Sequence, residues 1–268
     1  MDSGDGGLSG SMNALILRIS PMLVGISTYF LFEWQWRVPL AYPWALLAAT
    51  GLYVVLVLRM VWPRSDRWVM LWNALPMVCF FLAATVCAVM LEESFWRHAL
   101  SVFTGLTSYM ALELLFLHLF HSSRYPVNGL THLQLGLIPL TNALLAWGLV
   151  GVRVFAKAIA PPAWSVPLVF ACVNALAFAV TSHPDASPYA RRIWILFAAF
   201  SGFSIGLLLL FLPLAMPAQV FIAALLIALP LRLRRYGFRP ALGLSTALLE
   251  GGLALIAFLA VLLLSRWA

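Results

Sequence analysis

Residues 192–212 read RIWILFAAFSGFSIGLLLLFL, and past Arg192 the stretch carries no charge. As a helix it is roughly 32 Å long at the standard rise. That matches a bilayer hydrocarbon core of about 30 Å. In water such a segment would have to be buried on every side. In lipid it satisfies its own backbone hydrogen bonds and needs no other partner. The question it poses is whether the rest of the chain reads the same way.

It does. Similar runs recur from end to end, at roughly 14–32, 41–61, 69–91, 98–120, 132–152, 163–182, 192–212, 215–231 and 241–264. Turn and breaker signals separate them, among them Trp62-Pro63-Arg64, Tyr125-Pro126, Pro161-Pro162, His183-Pro184-Asp185 and Arg239-Pro240. Of the 268 residues 63% are hydrophobic and 9% charged, against about 25% charged in soluble domains. The polar residues are too few to coat a water-soluble globule. Period-2 alternation in ten-residue segments, the mark of a membrane barrel, is absent. The expected fold is therefore an all-α, polytopic membrane bundle of about nine transmembrane helices, with no soluble domain. Residues 1–13, MDSGDGGLSGSMN, read as a short polar tail, and 14–268 as one transmembrane domain.

The net charge of +7 does not point to nucleic acid, because the basic residues sit in short loops between spans. One face receives Arg18, Arg59, Arg64, Arg67, Arg124, Arg191, Arg192, Arg232, Arg234, Arg235 and Arg239. The other receives Arg37, Arg97, Arg153, Lys157 and Arg266. The positive-inside rule places the richer face in the cytoplasm, with the N-terminus inside and the C-terminus outside. Tryptophans such as Trp34, Trp44, Trp62, Trp96 and Trp164 cluster near span ends, where amphipathic rings prefer the headgroup layer. Short loops and compact size suit a bacterial inner membrane. The lipid bilayer is the expected partner, with anionic lipids contacting Arg232, Arg234, Arg235 and Arg239 at the cytoplasmic face. The apolar helix faces also fit another membrane protein or a second copy of the chain.

Cys79 and Cys87 fall eight residues apart in one span, about 12 Å by helical rise and beyond the roughly 7 Å reach of a disulfide. No cofactor motif and no Cys/His zinc spacing is present. The densest polar stretch is 113–132, ELLFLHLFHSSRYPVNGLTH. His118, His121, Arg124 and His132 read as a cluster at the cytoplasmic interface. His118 and His121, three apart, would share a helix face. Two ligands alone do not make a metal site.

Glu113 reads differently, because a carboxyl inside a span is costly and usually faces the bundle interior. Counting from span ends puts Glu250, Asn142 and Asn174 at a similar depth. These four form a candidate polar layer, a substrate or proton pathway. Gly202 and Gly206, four apart, mark a packing face in the seventh span. Gly243, Gly251 and Gly252 suggest that the ninth is a packed central helix. Glu33 with Arg37 reads as an interfacial turn, and Glu92, Glu93, Arg97 and His98 as a solvated, ion-paired loop at the outer start of the fourth span.

Three functions fit. A proton- or cation-linked carrier of a small solute rests on Glu113 and Glu250. An inner-leaflet enzyme acting on a lipid or isoprenoid rests on the histidines and arginines. A non-catalytic subunit of a membrane complex needs neither. Whether the protein is an enzyme stays open at this level. The polar layer favours the carrier.

Overall fold

The computed structural model describes residues 6–62, 74–121, 129–155, 162–180, 188–212, 214–238 and 244–264. Among these the chain is all helical, with no strand. The α-helices are α1 (Gly6–Arg37), α2 (Tyr42–Val61), α3 (Leu75–Ala88), α4 (Ser94–Phe120), α5 (Gly129–Phe155), α6 (Ser165–Val180), α7 (Pro188–Phe211), α8 (Met216–Phe238) and α9 (Leu244–Leu264). They correspond one to one with the nine expected spans. Five meet the length and apolarity needed to cross a membrane, within α1, α2, α4, α5 and α7, and shorter apolar helices lie in the other four. The chain is a polytopic membrane bundle. Its exposed side chains say the same: Phe200 and Phe211 on α7 are 70% and 79% exposed, and Leu263 and Leu264 on α9 exceed 80%. In lipid such faces carry no penalty.

Boundaries differ from expectation where membrane entry and helix start are different things. α1 begins at Gly6, because hydropathy marks where a helix enters the apolar layer and the helix itself runs further. At its other end α1 continues to Arg37, so Glu33 is helical and does not sit in a turn. The breaker is Pro39, which opens a short 3-10 turn over Pro39–Ala41 and disfavours helix at the residue before it. α2 then starts with Pro43 in its first turn, where a missing N–H costs nothing. α8 runs through Pro230 to Phe238, so Arg232, Arg234 and Arg235 lie on a helix end; their side chains, and all of Arg239, fall outside the described residues.

Contacts divide the chain into two compact units. The first comprises Met1–Phe81 and Leu91–Leu133, the second Leu82–Met90 and Gln134–Ala268. In the first unit α1 packs against α4 and α2. As numbering rises along α1, contacts fall along α4: Arg18 meets Glu113, Gly25 meets Gly105 and Glu33 meets His98. The two helices are therefore antiparallel. At their closest point a methyl on Gly25 would lie 2.8 Å from Tyr109 Cβ, and one on Gly105 would lie 2.8 Å from the Gly25 carbonyl oxygen. Lipid tails are as apolar as leucine, so membrane helices associate through such close packing and not through hydrophobicity. An aromatic core lies alongside. Phe81 sits between Phe32 and Tyr53, with ring centroids 6.3 and 5.8 Å away, and Phe80 adds an edge contact to Phe103 at 5.9 Å.

In the second unit α6 and α7 form the tightest pair. A methyl on Gly202 would come within 2.5 Å of the Phe170 carbonyl oxygen, and one on Gly206 within 2.4 Å of Pro167 Cα. The packing face expected of the seventh span is present. α5 meets the end of α3 in the same manner, Gly148 against Val86 and Gly151 against Met90 and Met216. The ninth helix departs from expectation. Gly251 and Gly252 have nothing within 4 Å, and none of the described side chains of α9 is buried. Glycine permits close approach but does not supply the partner, so α9 is a peripheral helix against α8 and not a packed central one.

Candidate functional site

The site grows from the α1/α4 pair. Glu113 lies on α4, and the guanidinium of Arg18 on α1 donates to its carboxylate. The Arg18 side chain is 52% exposed and that of Glu113 18%. The same guanidinium sits over the Phe116 ring, 5.3 Å from the centroid, an attraction between cation and ring quadrupole. Glu113 and Phe116 are three residues apart on one helix face, so one cation spans both. The carboxylate is thus compensated from a neighbouring helix.

At the opposite end of the pair, His98 Nδ1 lies 2.8 Å from Glu33 Oε1. The carboxylate is largely buried, whereas the His98 side chain is 60% exposed. Trp36 Nε1 donates to Ser101 Oγ at 3.0 Å, and Arg97 stacks over the Trp36 ring at 5.2 Å while its Nε donates to the Leu91 carbonyl at 2.6 Å. Glu92 and Glu93 are exposed in the short stretch before α4, as expected, whereas Arg97 and His98 turn to α1 through these contacts. Arg97 falls in the first turn of α4, within reach of α1, because α4 begins at Ser94. The Arg18–Glu113 and Glu33–His98 contacts lie roughly 22 Å apart along α1 by helical rise, with Gly25 and Gly105 close to midway. Between them α4 presents Ser101, Thr104, Thr107 and Ser108. These hydroxyls donate to the carbonyls of Arg97, Ser101, Phe103 and Thr104 on their own helix. The lane is polar yet satisfied, which is how hydroxyls are carried inside an apolar layer.

The remaining expected residues separate. Asn142 on α5 and Asn174 on α6 are brought together, each fully buried. Asn142 Nδ2 donates to Asn174 Oδ1 at 3.0 Å, and Asn174 Nδ2 donates back to Asn142 Oδ1 at 2.8 Å. Each amide also donates to a carbonyl one turn back, Ile138 and Phe170. Every N–H of the two amides is engaged. Gly202 makes room for the pair, since a methyl there would lie 2.9 Å from Asn174 Nδ2. The Asn pair belongs to the second unit and Glu113 to the first. Glu250 lies on α9, and its side chain is outside the described residues.

The histidines stand as follows. α4 ends at Phe120, and His121 leaves the helix with φ −138° and ψ 57°. His118 and His121 therefore do not form the expected pair on one helix face, because the helix stops between them. The His121 ring packs on Phe116, 5.5 Å between centroids. His118, His121 and His132 are all exposed, and Arg124 lies outside the described residues. Among the described residues no three His, Cys, Asp or Glu side chains gather into a potential metal site.

Two features were not foreseen. Arg18 reads in sequence as a topology-setting cation, although it lies inside the first span and an intramembrane charge normally has a partner. The Glu33–His98 pair bridges residues 65 apart and has no local signature. The chain matches no protein-family model, and neither curated proteins nor solved structures give a significant match.

Proposed function

We propose that the protein is a proton-linked carrier of a small solute, built on the α1/α4 pair. The observation that carries this reading is the carboxylate of Glu113, set within α4 and paired with Arg18 on α1. Intramembrane carboxyls commonly mark proton or substrate paths. Arginine stays charged at any relevant pH, whereas a carboxylate can take a proton. Protonating Glu113 would turn an ionic contact between two helices into a weaker one. The Glu33–His98 contact closes the other end of the same pair. Two contacts between the same helices, each containing a carboxylate and separated by a glycine crossing, suit an element that opens one end at a time. In this reading the asparagines of α5 and α6 clasp those helices together. The Arg18 end faces the cytoplasm of a bacterial inner membrane, and the arginines at the end of α8 lie against anionic lipid.

The test uses proteoliposomes with an imposed pH gradient and an internal pH-sensitive dye. Panels of amino acids, sugars, organic acids, amines and neutral amides are added outside. One class should dissipate the gradient in the wild type, with a rate at least about tenfold lower in Glu113→Gln, an order-of-magnitude loss for removing a proton-transfer group. Solute-evoked proton movement at the wild-type rate in that variant would overturn the reading, as would a panel in which no solute evokes any.

A further inference from the structure

Gln35 is fully buried, and neither its Oε1 nor its Nε2 has a hydrogen-bond partner. Thr28 is also fully buried, with Oγ1 unpartnered. The two lie on one face of α1 with Phe32 between them, at spacings of four and three. Phe32 packs on Phe81, so this face points into the aromatic core of the first unit. The neighbouring face of α1, carrying Glu33 and Trp36, is the one engaged with α4. α2 packs against α1; its buried side chains include Ala45, Ala49 and Tyr53, and none of them is hydrogen-bonded to Gln35. An unpaired amide away from water is among the most expensive groups a fold can carry. A side chain kept under that penalty calls for a function.

We propose that Gln35, assisted by Thr28, is a binding residue for a small neutral solute of the amide class. Of the charged groups on the adjacent turns, Glu33 is engaged with His98 and Arg97 with Trp36 and Leu91, while Arg37 is exposed at the end of α1, outside the buried face that carries Gln35. What remains unpartnered is one amide N–H donor group, one amide acceptor and one hydroxyl. A primary amide is matched by a molecule that offers a donor and an acceptor side by side, as amides and lactams do. A net charge on that molecule would find no counterion here. Solvent does not reach Gln35, so a solute reaches it only when the helices around this end of α1 part. Gln35 is two residues along α1 from Glu33, whose contact with His98 joins α1 to α4 at this end. The inference deepens the carrier reading and rests on it only for calling the solute a substrate.

The experiment is thermal unfolding of the purified full chain in detergent. Wild type, Gln35→Leu and the closer-shaped Gln35→Met are measured with and without acetamide, lactamide, nicotinamide and 2-pyrrolidinone, and with glycerol as a non-matching control. Without solute, both variants should melt about 2–4 °C above the wild type, since replacing an unpartnered buried amide by an apolar group of similar shape stabilises a chain of this size by that order. At least one amide, and not glycerol, should raise the wild-type melting temperature and leave both variants unmoved, because only a ligand of the folded state shifts it. Lower melting temperatures or failure to fold in both variants would mean that Gln35 is partnered in the folded protein, and would overturn the proposal. So would stabilised variants with no amide acting on the wild type, the behaviour of an amide served by water. Equal shifts in all three proteins would place the binding elsewhere and have the same force. Amide stabilisation that is lost in the variants, alongside no amide-evoked proton movement in proteoliposomes, would keep this site and remove the carrier reading.

Discussion

The Asn142–Asn174 clasp yields the most quantitative expectation. Two side-chain hydrogen bonds of 2.8 and 3.0 Å cross between α5 and α6, with both residues fully buried. A hydrogen bond between membrane helices contributes about 0.6 kcal/mol on average and about 1.7 at most. Two bonds therefore give a coupling of about 1–3 kcal/mol. Asn142→Ala alone removes both bonds and also strands a donor and an acceptor of Asn174. That adds about 1–3 kcal/mol of uncompensated burial. Asn174→Ala does the same in reverse. Once either partner is gone, removing the other relieves the stranded amide, so the double variant should be little less stable than the worse single one. The assay is reversible unfolding in mixed detergent micelles for the wild type, both single variants and the double variant, with the coupling taken from the cycle. A coupling below about 0.5 kcal/mol, the usual scatter of independent sites, would refute the claim that these amides are satisfied by each other.

Two further expectations follow from the same structure. Gly202→Ala places a methyl 2.5 Å from the Phe170 carbonyl oxygen and should destabilise by about 1–3 kcal/mol through overpacking. Gly251→Ala meets nothing within 4 Å and should stabilise by about 0.5–1 kcal/mol, the ordinary gain of alanine over glycine in a helix; unfolding curves showing equal effects would contradict the contrast. For orientation, in a chain with Cys79, Cys87 and Cys172 replaced, a membrane-impermeant maleimide should label Glu92→Cys in intact cells, and His121→Cys only after permeabilisation. The reverse pattern would invert the assigned topology.

The helical membrane class was legible from one residue type repeated over one length. A run of about twenty apolar residues has few other solutions; among the described residues five helices reach that length and four apolar helices are shorter. Gly202 and Gly206 were legible as a packing face because their spacing is local. Gly251 and Gly252 carry an equally suggestive pattern, and nothing packs there, since a pattern names a capacity and not a partner. Counting depth placed Asn142 and Asn174 at one level, and they do meet. It could not show that each would use up the other's N–H groups. His118 and His121 failed as a helical pair for a smaller reason. The helix end falls between them, and an end can shift by a turn without changing composition.

By itself the sequence determined what the bilayer dictates: apolar helical segments, where they fall along the chain, and the lipid-facing character of their surfaces. Those properties depend on each segment and its solvent alone, because a helix in lipid closes its own hydrogen bonds. Only the tertiary structure decided which cation compensates Glu113, why Glu33 belongs with His98, and that Gln35 has no partner. These are statements about which faces meet. In a membrane that choice is made by side-chain shape and close backbone approach between helices far apart in the chain, with no hydrophobic force to write it into the local pattern.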